Sequence, residues 1–68
     1  MISKLKIRDI RKHREITQLE LSIMADVSIG YISDIELGKI SPTLRMLDKI
    51  ATALNVPAKD LLDNDYSR

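Results

Sequence analysis

The chain has 68 residues, enough for one small domain and too few for a second core, because the share of surface a chain can bury falls with its length. It has no cysteine and one imidazole, His13, which excludes a disulfide framework and a thiolate metal site, and Tyr31 and Tyr66 are the only aromatics in an aliphatic apolar set that favours packed helices. The formal net charge is only +1, yet residues 1–14 hold Lys4, Lys6, Arg8, Arg11, Lys12 and Arg14 against Asp9, while residues 15–40 hold five carboxylates against Lys39. The start of the chain lacks the apolar stretch of a signal peptide, and no apolar run approaches the roughly 20 residues that cross a bilayer. A cytoplasmic protein with no membrane partner is expected.

Caps and breakers, taken in chain order, mark five helices. Ser3 can cap a first helix reaching about Arg14, with Ile7, Ile10 and the stem of Arg14 on one side. Thr17 with Glu20 three residues later forms a capping box, in which hydroxyl and carboxylate each satisfy an orphan backbone N–H, so a second helix starts there. That helix turns Leu21, Ser22 and Ala25 inward and stops near Asp26. Ser28 caps a third helix with Ile32, Ile35 and Glu36 on one side and Ile29, Gly30, Ser33 and Asp34 largely on the other; Gly38 ends it. Pro42 and Thr43 open a fourth helix in which Leu44, Leu47, Ile50, Ala51 and Leu54 recur every three or four residues, with Asn55 suited to its C-cap. Pro57, at the first helical position, starts a short fifth helix ending in Leu61 and Leu62. The expected organisation is one all-α domain over residues 1–62 and a polar tail over 63–68.

Two short helices joined by a tight turn inside a helical bundle can present one of them to a DNA major groove. The string over residues 17–42, TQLELSIMADVSIGYISDIELGKISP, followed by Leu44, Leu47, Ile50, Ala51 and Leu54, resembles the Cro/repressor-like helix-turn-helix family, also called the XRE family, over about residues 7–62. The resemblance implies a compact five-helix, lambda-repressor-like domain with helices 2 and 3 as the helix-turn-helix. It implies double-stranded DNA as partner, and a homodimer acting as a transcriptional regulator, a repressor, on an inverted-repeat operator. Arg11 and Glu36 match a buried ion pair between helices 1 and 3. Gln18, Tyr31, Lys39, Ser41, Thr43 and Arg45 fall at or beside positions that grip DNA phosphates, and Ser28, Ile29, Gly30, Ser33 and Asp34 fall on the base-reading side. Dimer contacts fall at Leu54, Asn55, Val56, Pro57, Leu61 and Leu62, of which Leu61 suits the core equally well. Two positions depart from the pattern: Asp26 stands where a turn glycine is usual, and Leu37 where a polar or basic residue is usual.

The reading side is chemically sparse. Arg, Lys, Gln and Asn make the bidentate bonds to guanine and adenine, and none occurs between Ser28 and Leu37. What remains is an apolar contact from Ile29 to a thymine methyl, hydroxyls from Ser28 and Ser33, and Asp34 accepting from a cytosine amine. One such module buries too little DNA for tight selective binding, which favours a dimer on two half-sites. No catalytic constellation, cofactor motif, metal-ligand spacing or small-molecule site is present, so neither an enzyme nor a cofactor is expected. A competing function is a protein-interaction module of the same fold, antitoxin-like or an anti-repressor subunit, using Leu19, Ile23 and Leu37 as its surface.

Overall fold

The computed structural model describes residues 6–62. Its regular elements are all helical: α1 (Ile7–His13), α2 (Gln18–Ala25), α3 (Ile29–Glu36), α4 (Leu44–Leu54) and a 3-10 helix (Ala58–Leu61). The all-α class therefore holds, while the count of five becomes four α-helices and one 3-10 turn. Pro57 is the N-cap of that turn rather than its first helical residue, and four residues are too few to repay the nucleation of an α-helix. The expected Ser3 cap and the polar tail at 63–68 lie outside the described residues.

Side-chain caps set three of the helix starts. The Thr17 hydroxyl accepts from the Glu20 N–H at 3.0 Å while the Thr17 N–H donates to the Glu20 carboxylate at 2.8 Å, completing the capping box of α2. The Ser28 hydroxyl accepts from the Tyr31 N–H at 3.0 Å, and the Thr43 hydroxyl accepts from the Met46 N–H at 3.1 Å. Because Thr43 is the cap, α4 begins at Leu44.

The four α-helices end alike. A left-handed residue follows the last turn of each: Glu15 (φ 58°), Asp26 (φ 58°), Gly38 (φ 78°) and Asn55 (φ 61°). The next N–H then reaches back five positions, from Ile16 to Arg11 and from Val27 to Ser22 at 3.0 Å, from Lys39 to Asp34 at 2.9 Å, and from Val56 to Ala51 at 3.0 Å. These bonds satisfy carbonyls that a helix end leaves orphaned. Ile16, Val27 and Val56 are apolar and pack against the core, so each stop also aims the following segment. Asp and Asn tolerate the left-handed conformation; for Glu15 it costs about 1 kcal/mol.

The core joins Ile7, Leu21, Ala25, Ile32, Ile35, Leu47, Ile50, Ala51, Leu54 and Leu61. α2 packs on both α3 and α4, and the 3-10 helix packs on α4. The Lys6 N–H donates to the Leu61 carbonyl at 2.8 Å, tying the start of α1 to the last turn. Two inward assignments change. Leu44 is 82 % exposed, because the first residue of α4 projects past the elements that cover the rest of its apolar row. Arg14 is exposed after the end of α1, and it is Arg11 that turns inward.

Candidate nucleic-acid interface

The α2–α3 unit is built around small buried residues. Ser22 and Ala25 are buried on α2, where larger side chains would push α3 away, and the Ser22 hydroxyl donates to the Leu19 carbonyl at 2.7 Å. Asp26 adopts the left-handed conformation that glycine would favour, so the departure at this position leaves the turn closed. From α4, the Lys49 ammonium donates to the Asp26 carbonyl at 3.2 Å and fastens the turn to the scaffold.

α3 is thereby held with Ile32 and Ile35 buried and its other side facing out. Ser28, Ile29 and Gly30 are exposed, and Ser33 and Asp34 are half-buried. Beyond its chain neighbours and the backbone of its own helix, no atom lies within 4 Å of the place a Cβ on Gly30 would occupy, so the helix is open to close approach there. The Ser28 oxygen serves the cap, which leaves its hydroxyl hydrogen free to donate. Tyr31 is half-buried against the core.

One end of α3 is fixed by an ionic junction. Arg11 Nε donates to Glu36 Oε2 at 2.7 Å and Nη2 to Oε1 at 3.0 Å, while Nη1 donates to the Ile16 carbonyl at 2.8 Å. The side chains of Arg11 and Glu36 are only 9 % and 3 % exposed. Gln18 Nε2 joins them, donating to Glu36 Oε1 at 3.0 Å. Burial of the Glu36 carboxyl raises its pKa, but hydrogen bonds from Arg11 and Gln18 and the charges of Arg11 and Arg8 outweigh it, leaving the pKa below its ordinary value. Gln18, expected from the resemblance at a phosphate-gripping position, is thus half-buried and held by its amide to Glu36. Nothing in the spacing of Gln18 and Glu36 announces their contact, because it arises only when α2 and α3 pack.

Lys39, Ser41, Thr43 and Arg45 are exposed together along the connection from α3 into the first turn of α4. The dimer set is corrected in two places: Leu54 and Leu61, at 1 % and 0 % exposure, fill the core and have no surface to offer a partner. Asn55 and Pro57 are exposed, and Val56 and Leu62 are half-buried. Large apolar side chains also stand outside, among them Leu19, Ile23, Met24 and Leu37. Among the described residues no group of His, Cys, Asp and Glu could hold a metal ion, and no helix is long and apolar enough to cross a membrane.

A helix-turn-helix family model matches residues 7–61. The control protein C.BamHI of Bacillus amyloliquefaciens is 42 % identical over 59 residues, covering 85 % of this chain and 73 % of its own. The immunity repressor protein of Bacillus phage phi105 is 33 % identical over 60 residues, covering 88 % of this chain; the chain spans less than half of that relative, 42 %. Among solved structures, the restriction-modification controller protein C.AhdI from Aeromonas hydrophila superposes with a TM-score of 0.82 at 24 % identity, over 84 % of this chain and 86 % of that one, a likeness of fold. The clp gene regulator ClgR from C. glutamicum superposes with a TM-score of 0.76 at 30 % identity, over 79 % and 70 %. These relatives are regulatory proteins rather than enzymes. With a family model spanning residues 7–61 and the α2–turn–α3 unit in place, the chain belongs to the helix-turn-helix family of XRE type, a family of DNA-binding transcriptional regulators.

Proposed function

We propose that the chain is a non-enzymatic transcriptional repressor that binds an inverted-repeat DNA operator as a homodimer, with α3 in the major groove. The observation that carries this reading is the outward side of α3: its N-cap Ser28 and its first residues Ile29 and Gly30 are exposed, while its other side is locked into the core. Ile29 meets a thymine methyl, Ser28 and Ser33 offer hydroxyls, and Asp34 accepts from a cytosine amine. Gln18 grips a phosphate on one flank, beside the N–H groups of Gln18 and Leu19, which have no carbonyl to bond within α2. Lys39, Ser41, Thr43 and Arg45 grip the backbone on the other flank, and the Tyr31 hydroxyl lies close to the DNA backbone in the bound state. With no long polar reader on α3, part of the discrimination comes from DNA shape.

The dimer forms through Asn55, Val56, Pro57 and Leu62. Its test is sedimentation of Val56→Asp: the expected result is a monomer with helical circular dichroism intact, and a surviving dimer refutes the assignment. Operator binding is tested by a mobility shift with DNA from the chain's own locus. A specific observation also supports a second reading as a protein-binding module, the exposure of Ile23 (71 %) and Leu37 (65 %). Absence of any retarded band, together with binding of a protein partner lost in Ile23→Asp, would favour that reading.

A further inference from the structure

Gln18, in the first turn of α2, is held by the last residue of α3. Its Nε2 donates to Glu36 Oε1 at 3.0 Å, and the same oxygen accepts from Arg11 Nη2 at 3.0 Å. An ionised carboxylate can only accept, so the amide has one permitted orientation: its NH2 group faces Glu36. One hydrogen of that NH2 is used, and the other is left to donate elsewhere. The rotamer freedom a loose glutamine would lose on meeting DNA is already lost in the folded protein, which favours binding.

A carboxylate beside a phosphate is normally repulsive. Here Arg11 engages both Glu36 oxygens, and Arg8, exposed one turn earlier on α1, adds a second positive charge acting on the same carboxyl. Paired hydrogen bonds from Arg11 thus neutralise the Glu36 carboxylate, so it does not stand as a bare negative charge beside Gln18.

We propose that Glu36 is a positioning residue for DNA binding, orienting the Gln18 amide so that its second N–H donates to an operator phosphate. The proposal rests on the phosphate contact of Gln18 proposed above. It goes beyond a scaffold role for the Arg11–Glu36 pair, because the pair then acts on the ligand through a third side chain.

Dissociation constants for the chain's own promoter DNA are measured for wild type, Gln18→Ala, Glu36→Gln and the double variant, at a temperature where circular dichroism finds each folded. Each single change is expected to weaken binding about 5- to 10-fold, the worth of one hydrogen bond, and the double variant to bind no more weakly than either single one. Unchanged affinity in Gln18→Ala refutes the phosphate contact and with it the proposal. A loss in Gln18→Ala, with Glu36→Gln costing equally in both backgrounds, leaves the phosphate contact standing and reduces Glu36 to scaffold. A second measurement needs only the wild-type protein. In its ¹⁵N–¹H spectrum one Gln18 side-chain amide proton should lie downfield before DNA is added, and the other should move on addition. Two amide protons at the positions of a free glutamine before addition overturn the proposal.

Discussion

The two sides of α3 answer to different masters. Inward, Ile32 and Ile35 are buried and Glu36 is held by two hydrogen bonds from Arg11 and one from Gln18, so neighbours dictate each residue. Outward, Ser28, Ile29 and Gly30 are exposed, and Gly30 has open space where a side chain would begin. The scaffold therefore fixes where the helix sits while leaving its outer surface to be chosen by whatever docks there. Substitutions inward should cost stability, and substitutions outward should cost binding.

The largest effect belongs to the inward side. Glu36→Ala strands the Arg11 guanidinium at a site only 9 % exposed and should destabilise the fold by about 3–5 kcal/mol in urea denaturation. A loss below about 1 kcal/mol would mean that the ion pair does not hold α3 in place. The same pair gives the protein an acid limit. Since folding lowers the Glu36 pKa, the stabilisation is fully present above the ordinary glutamate value of about 4.3 and is lost as pH falls through the lower folded value. Glu36→Gln should accordingly be less stable than wild type at neutral pH, with the gap narrowing in acid.

Ser28 belongs to both sides, since its oxygen caps α3 while its side chain is exposed with a hydroxyl hydrogen left to donate. Ser28→Ala should cost about 1 kcal/mol of stability and weaken DNA binding as well. Gly30→Ala separates the two sides most cleanly, at the smallest energy. The added methyl meets nothing, and replacing a helical glycine should stabilise the free protein by roughly 0.5 kcal/mol, while the same methyl obstructs close approach and lowers DNA affinity. Equal signs for the two effects would contradict an outward side shaped by docking.

Much of the scaffold was legible because it is local. The capping box at Thr17, the caps at Ser28 and Thr43, and the left-handed stops at Gly38 and Asn55 depend on residues within a few positions of one another. The stop at Glu15 was not legible, for glutamate carries no left-handed preference; Ile16 packing against the core and its N–H bond to Arg11 impose it. Periodicity placed Leu47, Ile50, Ala51 and Leu54 correctly but ran one turn too far, to Leu44, because a repeat does not reveal where its cover ends. Of the candidate interface, the outward row of α3 followed from helical geometry, whereas the bond from Gln18 to Glu36 depends on tertiary packing between residues 18 apart in the chain. Leu54 and Leu61 were ambiguous for the same reason: an apolar residue near a helix end serves a core and a dimer equally well until its burial is known.

Whether the outward side of α3 and its flanks bind DNA is decided by the affinity for the chain's own promoter DNA as salt rises from about 50 to 200 mM. If Lys39 and Arg45 of both protomers each neutralise a phosphate, log K should fall with log salt at a slope of roughly −3.6, about a hundred-fold loss over that range. An affinity that stays flat with salt, or no binding to that DNA at any salt, would mean that this surface does not grip DNA phosphates.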